Sequence, residues 1–208
     1  MGEHTRHGDD APPGERPPRR DAERNRRRVL AAGREVFAER GLAATLNDVA
    51  HHAGVGVGTV YRKFPDKQAL AEAVFTEELD EIAAAARAAL AAGDAFTALA
   101  GFLTHALERA ARNRGLRELM RHGTLDGTRP ARAREEIAAH CRTLLARSRA
   151  QGTLREGVTE NDMAPIAAMI DAVMALPGDA PSGTWRRYLT IVLDGLRARP
   201  GQPPLPAP

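Results

Sequence analysis

With 208 residues, 43% of them apolar, and a net charge of +3, the chain can build one or two small domains around a proper core. Alanine, leucine and arginine dominate and aromatic residues make up only 4%, a bias toward helix formers that points to an all-α protein. The longest apolar run, Ile82 to Ala92, is too short to span a membrane and contains Arg87, the charged amino terminus lacks the apolar stretch of a secretory signal, and the lone Cys141 allows no intrachain disulfide, so a soluble cytoplasmic protein without membrane partners is expected.

Charge is unevenly placed. Residues 16–67 hold twelve Arg or Lys against six Asp or Glu, whereas residues 68–208 carry seventeen of each sign. A basic segment ahead of a neutral remainder is the footprint of an amino-terminal nucleic-acid module; a solvated basic face would give the same count. The ends are rich in Pro and Gly, with five prolines in Pro200–Pro208, and residues 1–20 and 200–208 read as disordered tails.

From Asp21 to Arg40, Val29, Leu30, Ala32, Gly33, Val36 and Phe37 recur at helical spacing, and Gly41 suits a left-handed cap. Thr45 with Asp48 three residues on is a capping-box pattern, opening a short helix with Leu46, Val49, Ala50 and Ala53 on one side. Gly54 then turns the chain, Val55 is expected as a buried plug, and a third helix runs Val57 to Phe64 before Pro65. Two short helices joined by a Gly-containing turn form a helix-turn-helix, here about residues 44–63, whose second helix enters the major groove. Val60 and Phe64, four apart, pack inward; Val57, Gly58, Thr59, Tyr61, Arg62 and Lys63 are left outward with almost no acid. Lys67, in the first turn of the next helix, is placed to meet a phosphate.

The stretches Arg28-Val29-Leu30-Ala31-Ala32, Phe37-Ala38-Glu39-Arg40-Gly41, Asn47-Asp48-Val49-Ala50, Ala53 to Phe64, and Lys67-Gln68-Ala69-Leu70 closely resemble the DNA-binding domain of TetR-type transcriptional regulators. Gly56 stands where that family usually has a Ser-like cap, and Lys63 where it often has His. The resemblance implies DNA contacts by Thr45, Val57, Gly58, Thr59, Tyr61, Arg62, Lys63 and Lys67. With Val57 at a position where such proteins often place a base-reading polar chain, base specificity falls to Thr59 and Arg62.

Beyond Lys67 one long helix continues to about Ala92, with Leu70, Val74, Phe75, Leu79 and Ile82 as its stripe. Asp94 caps a helix through Arg112, a short segment spans Leu116 to Arg121, and Gly123 to Pro130 reads as a loop. Ala131–Gln151, Glu160–Leu176 and Thr184–Arg199 complete the helices, the last two joined by the turn-rich Pro177 to Gly183. The expected fold is thus all-α, with a three-helix DNA-binding domain over 21–81 and a helical bundle for ligand sensing and dimerisation over 82–199.

The last two helices are more apolar than one packing side requires. Ile166, Met169, Ile170, Val173, Trp185, Tyr188, Leu189, Val192, Leu193 and Leu196 either complete the monomer core or, as the family resemblance implies, form a four-helix homodimer seam. A ligand cavity is expected among the central helices, walled by Phe75, Phe96, Leu99, Phe102, Leu103, Leu119, Met120, Leu144 and Met169. His105, Cys141 and Arg121 are its nearest polar groups.

No catalytic order of Ser, His and Asp, phosphate loop or paired-carboxylate signature stands out. Adjacent His51 and His52 cannot both face one metal, and His140-Cys141 lacks a spaced partner, so neither enzyme activity, metal nor cofactor is expected. The reading is a regulator that binds a pseudo-palindromic double-stranded operator and is released by an unidentified small-molecule effector. A TetR-fold activator, or an interaction protein without effector control, stays open beside it.

Overall fold

The computed structural model describes residues 18–122, 128–176 and 183–206; residues 1–17 of the expected amino-terminal tail, most of the 123–130 loop and most of the 177–183 turn fall outside them, whereas residues 18–20, expected in that tail, open the first helix. Among the described residues there are helices and one isolated antiparallel bridge, Leu154 to Arg197. The order is α1 (Pro18–Arg40), a 3-10 turn (Gly41–Ala43), α2 (Leu46–Ala53), α3 (Val57–Tyr61), α4 (Lys67–Ala89), α5 (Ala95–Arg112), α6 (Arg114–His122), α7 (Arg129–Ala150), a 3-10 turn (Glu160–Asp162), α8 (Met163–Met174) and α9 (Thr184–Leu196). No helix among them is long and apolar enough to cross a membrane.

Helix starts follow local side-chain chemistry. Asp66, Asp94 and Thr128 each accept the backbone N–H three residues on, at the heads of α4, α5 and α7. Pro130 lies inside the first turn of α7 rather than in the loop, since an N–H is not needed there. The third helix is shorter than its sequence suggests. It ends at Tyr61, and Arg62 to Phe64 continue as a turn.

One apolar cluster joins both expected domains. Val29, Val36 and Phe37 of α1 and Val49 and Val60 of the helix-turn-helix pack with Leu70, Val74, Phe75, Leu79 and Ile82 of α4, and then with Phe102, Leu116, Leu119 and Ile137. Phe37 and Phe75 meet with ring centroids 5.7 Å apart. The expected boundary between residues 81 and 82 therefore falls inside α4 and inside this core. Two glycines allow close crossing. A Cβ on Gly33 would meet Val74 at 3.0 Å, and one on Gly115 would meet Phe75 at 2.8 Å and the Phe37 carbonyl at 2.9 Å.

A second cluster gathers Phe96, Leu99, Leu144, Leu145, Leu154, Val158 and Leu196, and a third gathers Ile170, Trp185 and Leu189. The segment expected as a free carboxy-terminal tail departs from that reading. Leu205 packs against the second cluster, its N–H donates to the Glu156 carbonyl at 3.0 Å, and Arg155 donates to the Pro203 carbonyl at 3.1 Å. Leu205 and these two hydrogen bonds fold the segment back onto the bundle.

Candidate nucleic-acid interface and effector cavity

The helix-turn-helix is built by reciprocal capping. The Asp48 N–H donates to Thr45 Oγ1 at 3.2 Å, and the Thr45 N–H donates back to Asp48 Oδ2 at 2.8 Å. Hydrogen bonds from Thr45, with the Arg40 guanidinium at 2.9 Å, hold the Asp48 carboxyl below its ordinary range. Gly54 then adopts φ +62°, which permits the tight return into α3. Val55 is half-buried against the core rather than fully buried.

Within α3, Val60 and the following Phe64 turn inward and are buried, as their spacing predicts. Val57 and Tyr61 are 41% and 50% exposed, large apolar surfaces left bare on a five-residue helix. A Cβ on Gly58 would meet nothing within 4 Å, so backbone can approach a partner closely there. Thr45, Arg62 and Lys67 are also exposed, and Thr59 and Lys63 are half-buried. All eight expected contact residues thus sit on the α2 cap, on α3 with its terminal turn, or at the first residue of α4.

Several of them are already engaged. Arg62 donates to the Thr59 hydroxyl at 3.1 Å. Lys63 donates to the Ala22 carbonyl at 2.8 Å, and Lys67 to the Leu42 carbonyl at 2.7 Å. The Leu42 peptide is gripped from its other end too, because its N–H donates to Glu118 of α6 at 2.6 Å.

Most of the side chains expected to wall a ligand cavity pack into the core clusters. Phe75, Phe102 and Leu119 are buried in the first cluster and Phe96, Leu99 and Leu144 in the second, with Leu103 and Cys141 packed between the two. His105 is exposed, as is Met169 at 53%. A cavity of about 300 Å³ opens among α5, α6 and α8, lined by Leu107, Ala110, Arg117, Met120, Arg121, Ala164, Ala167, Ala168, Asp171 and Met174. Of the expected set only Met120 and Arg121 line it. The space exists because α8 presents alanines there, which in sequence read merely as good helix formers. At one side Asp171 accepts from Arg117 at 3.0 Å and from Arg121 at 2.7 Å.

The residues expected at a dimer seam divide. Ile170, Trp185, Leu189 and Leu196 are buried in their own chain, and Ile166, Val173, Val192 and Leu193 are partly buried against its clusters. Met169 and Tyr188 are exposed, joined by Leu176 and Ile191, which the sequence reading missed.

Comparison with known proteins bears on both halves. The sequence model for bacterial regulatory proteins of the tetR family matches residues 29–74, and that for the carboxy-terminal domain of SbtR-like transcriptional regulators matches residues 94–198. An HTH-type transcriptional regulator of Staphylococcus aureus (strain USA300) is 38% identical over 63 residues, 30% of this chain and 34% of that protein. The match thus spans about a third of the length of that curated relative. The crystal structure of a TetR transcriptional regulator from Streptomyces coelicolor superposes with a TM-score of 0.55 at 32% identity, covering 83% of this chain and 98% of that one. Bacillus subtilis FadR in complex with stearoyl-CoA shares the fold at 18% identity, with a TM-score of 0.56 over 82% of this chain and 99% of that one. With a family match at each end and a relative spanned almost throughout, this chain belongs to the TetR family of helix-turn-helix transcriptional regulators.

Proposed function

We propose that the protein is a repressor that binds a pseudo-palindromic operator as a homodimer and leaves it when a small, largely apolar ligand fills the cavity among α5, α6 and α8. The observation that carries this reading is the double engagement of α6. Arg117, Met120 and Arg121 line the cavity, while Glu118 of the same helix holds the Leu42 N–H at the entrance to the helix-turn-helix. A ligand that displaced α6 would therefore act on the DNA module through a direct hydrogen bond.

On the DNA side, Val57, Gly58 and Tyr61 present the accessible surface of α3 to the groove, with Thr45, Thr59, Arg62, Lys63 and Lys67 as polar and phosphate contacts. Met169, Tyr188 and Ile191, with Leu176 just past α8, leave exposed apolar surface along α8 and α9, which suits a second copy of the chain. Two recognition helices related by a two-fold axis then meet half-sites one helical turn, about 34 Å, or a multiple of it apart. The cavity, with apolar walls and a clustered Arg117–Asp171–Arg121 edge, has the make-up of a small-molecule site. FadR, in complex with stearoyl-CoA, gives a precedent on this fold for a bound ligand with a long apolar chain.

The test is selection of duplexes from a randomised pool, followed by gel shift with a metabolite library. Enrichment of a two-fold sequence is expected, with Arg62→Ala and Tyr61→Ala weakening it at least about tenfold. A library member should relieve binding by about 5- to 150-fold, the usual scale of coupling between sites. A pool that yields only unpaired half-sites, or a releasing ligand that still acts with full potency on Ala167→Trp, which fills the cavity, would overturn this reading.

A further inference from the structure

The opening turns of α1 precede residue 29, where the match to the family's DNA-binding domain begins. Residues 22–28 read Ala-Glu-Arg-Asn-Arg-Arg-Arg, four arginines against one glutamate. They contribute nothing to the apolar core, whose first α1 member is Val29. Yet the segment is docked. Lys63, just past α3, donates to the Ala22 carbonyl at 2.8 Å, the Arg26 guanidinium lies 5.1 Å over the Phe64 ring, and Arg28 donates to the Ala53 carbonyl at 2.8 Å. Three contacts thus hold these two turns alongside the exit of α3 and the end of α2.

Docking of this kind also fixes where the other charges of these turns lie. Arg24 and Arg27, three residues apart, share one side of the helix and are exposed, the Arg27 side chain by 79%. Its pairing with Glu23 at 3.2 Å is itself solvent-exposed and holds it weakly. Arg24, Arg27 and Arg28 stand at the three- and four-residue spacings at which like charges on a helix repel. Such a cluster is unfavourable in isolation and becomes favourable against a polyanion.

We propose that Arg24 and Arg27 form a second phosphate-binding contact, gripping the DNA backbone beside the segment that α3 reads and beyond the contacts made by the helix-turn-helix itself. The proposal rests on α3 being the groove-reading helix. Its chemistry is sequence-independent: guanidinium to phosphate, with counterions released. It therefore adds affinity for any duplex and leaves the choice of bases to α3.

The test uses the full chain, a mixed-sequence duplex longer than two half-sites, and the duplex selected from the randomised pool. Log affinity is followed against log salt by fluorescence anisotropy. The Arg24→Ala/Arg27→Ala variant should lower the slope by about 0.9 for each phosphate lost, about 1.8 per subunit, equally on both duplexes. Arg24→Lys/Arg27→Lys should retain the slope, and thermal melting should be unchanged in both, since neither side chain packs in the core. Ethylation interference should fade only at phosphates outside the bases that α3 protects. An unchanged slope in the alanine variant overturns the proposal. If no sequence is enriched from the pool, the operator reading fails instead, and the mixed-sequence duplex still decides the role of the two arginines.

Discussion

Lys67 shows how much a single side chain can be asked to do. Its ammonium, at the first residue of α4, is held by the Leu42 carbonyl, so a DNA phosphate must compete with a bond the protein already makes. Lys67→Ala should therefore lower affinity for all duplexes alike, flatten the salt slope by about 0.9 per subunit, and also loosen the turn after α1. A salt titration with wild-type slope would remove Lys67 from the backbone contacts. Cys141 is the opposite case, a group withdrawn from chemistry. Burial between the two larger clusters pushes its thiol from 9.0 up to about 11. At pH 8 iodoacetamide should label it roughly a hundredfold more slowly than an exposed thiol, and rapid labelling of the native protein would show that α7 opens there. Helical spacing with Ile137 and Leu144 already turns Cys141 inward, but which helices lean over it is settled only by the packing of the two clusters.

Among the elements, what could be read in advance was what is local. The Thr45–Asp48 box, the Gly54 turn and the inward pair Val60 and Phe64 are each decided within four residues, and all appear as expected. The cavity among α5, α6 and α8 is not legible in the sequence, because Phe75, Phe96 and Leu99, which pack in the core, look alike whether they line a hole or fill a core. Only the docking of α8, with Ala164, Ala167 and Ala168 toward α5 and α6, creates the space. The last helix poses the same problem. Apolar residues run around α9, and the sequence does not say which side its own chain takes. Trp185 and Leu189 turn inward, Tyr188 and Ile191 outward. Leu189→Arg should then unfold the protein rather than divide it, since the cation would enter the third cluster. Tyr188→Glu/Ile191→Glu should leave a folded monomer. Sedimentation at micromolar concentration, paired with circular dichroism, checks both; a dimer in the double variant would put the seam on another face.

At the scale of the whole molecule, α6 is the one described helix that both lines the cavity and bonds to the turn leading into the helix-turn-helix. Its Glu118 carboxyl sits below the ordinary range; burial opposes this, but hydrogen bonds from Arg114 and the Leu42 N–H outweigh it. Glu118→Ala should break the transmission. For any ligand that releases the wild type, the affinity ratio with and without ligand should fall toward one, while ligand binding measured by calorimetry persists. A ratio unchanged in the variant would route the coupling through α4 instead. The shared core has a further implication, for how such regulators can be recombined. Gly115 lies against both Phe37 and Phe75, and the first cluster takes members from Val29 of α1 through to Ile137 of α7. The DNA-reading half therefore carries half of an interface as well as a recognition helix. A chimera joined within α4 would unite two faces that were never fitted to each other, and a larger residue at position 115 or 33 in the donor would wedge them apart. Swapping operator specificity between relatives is more secure by regrafting the outward positions of α3 alone, where no packing partner has to follow.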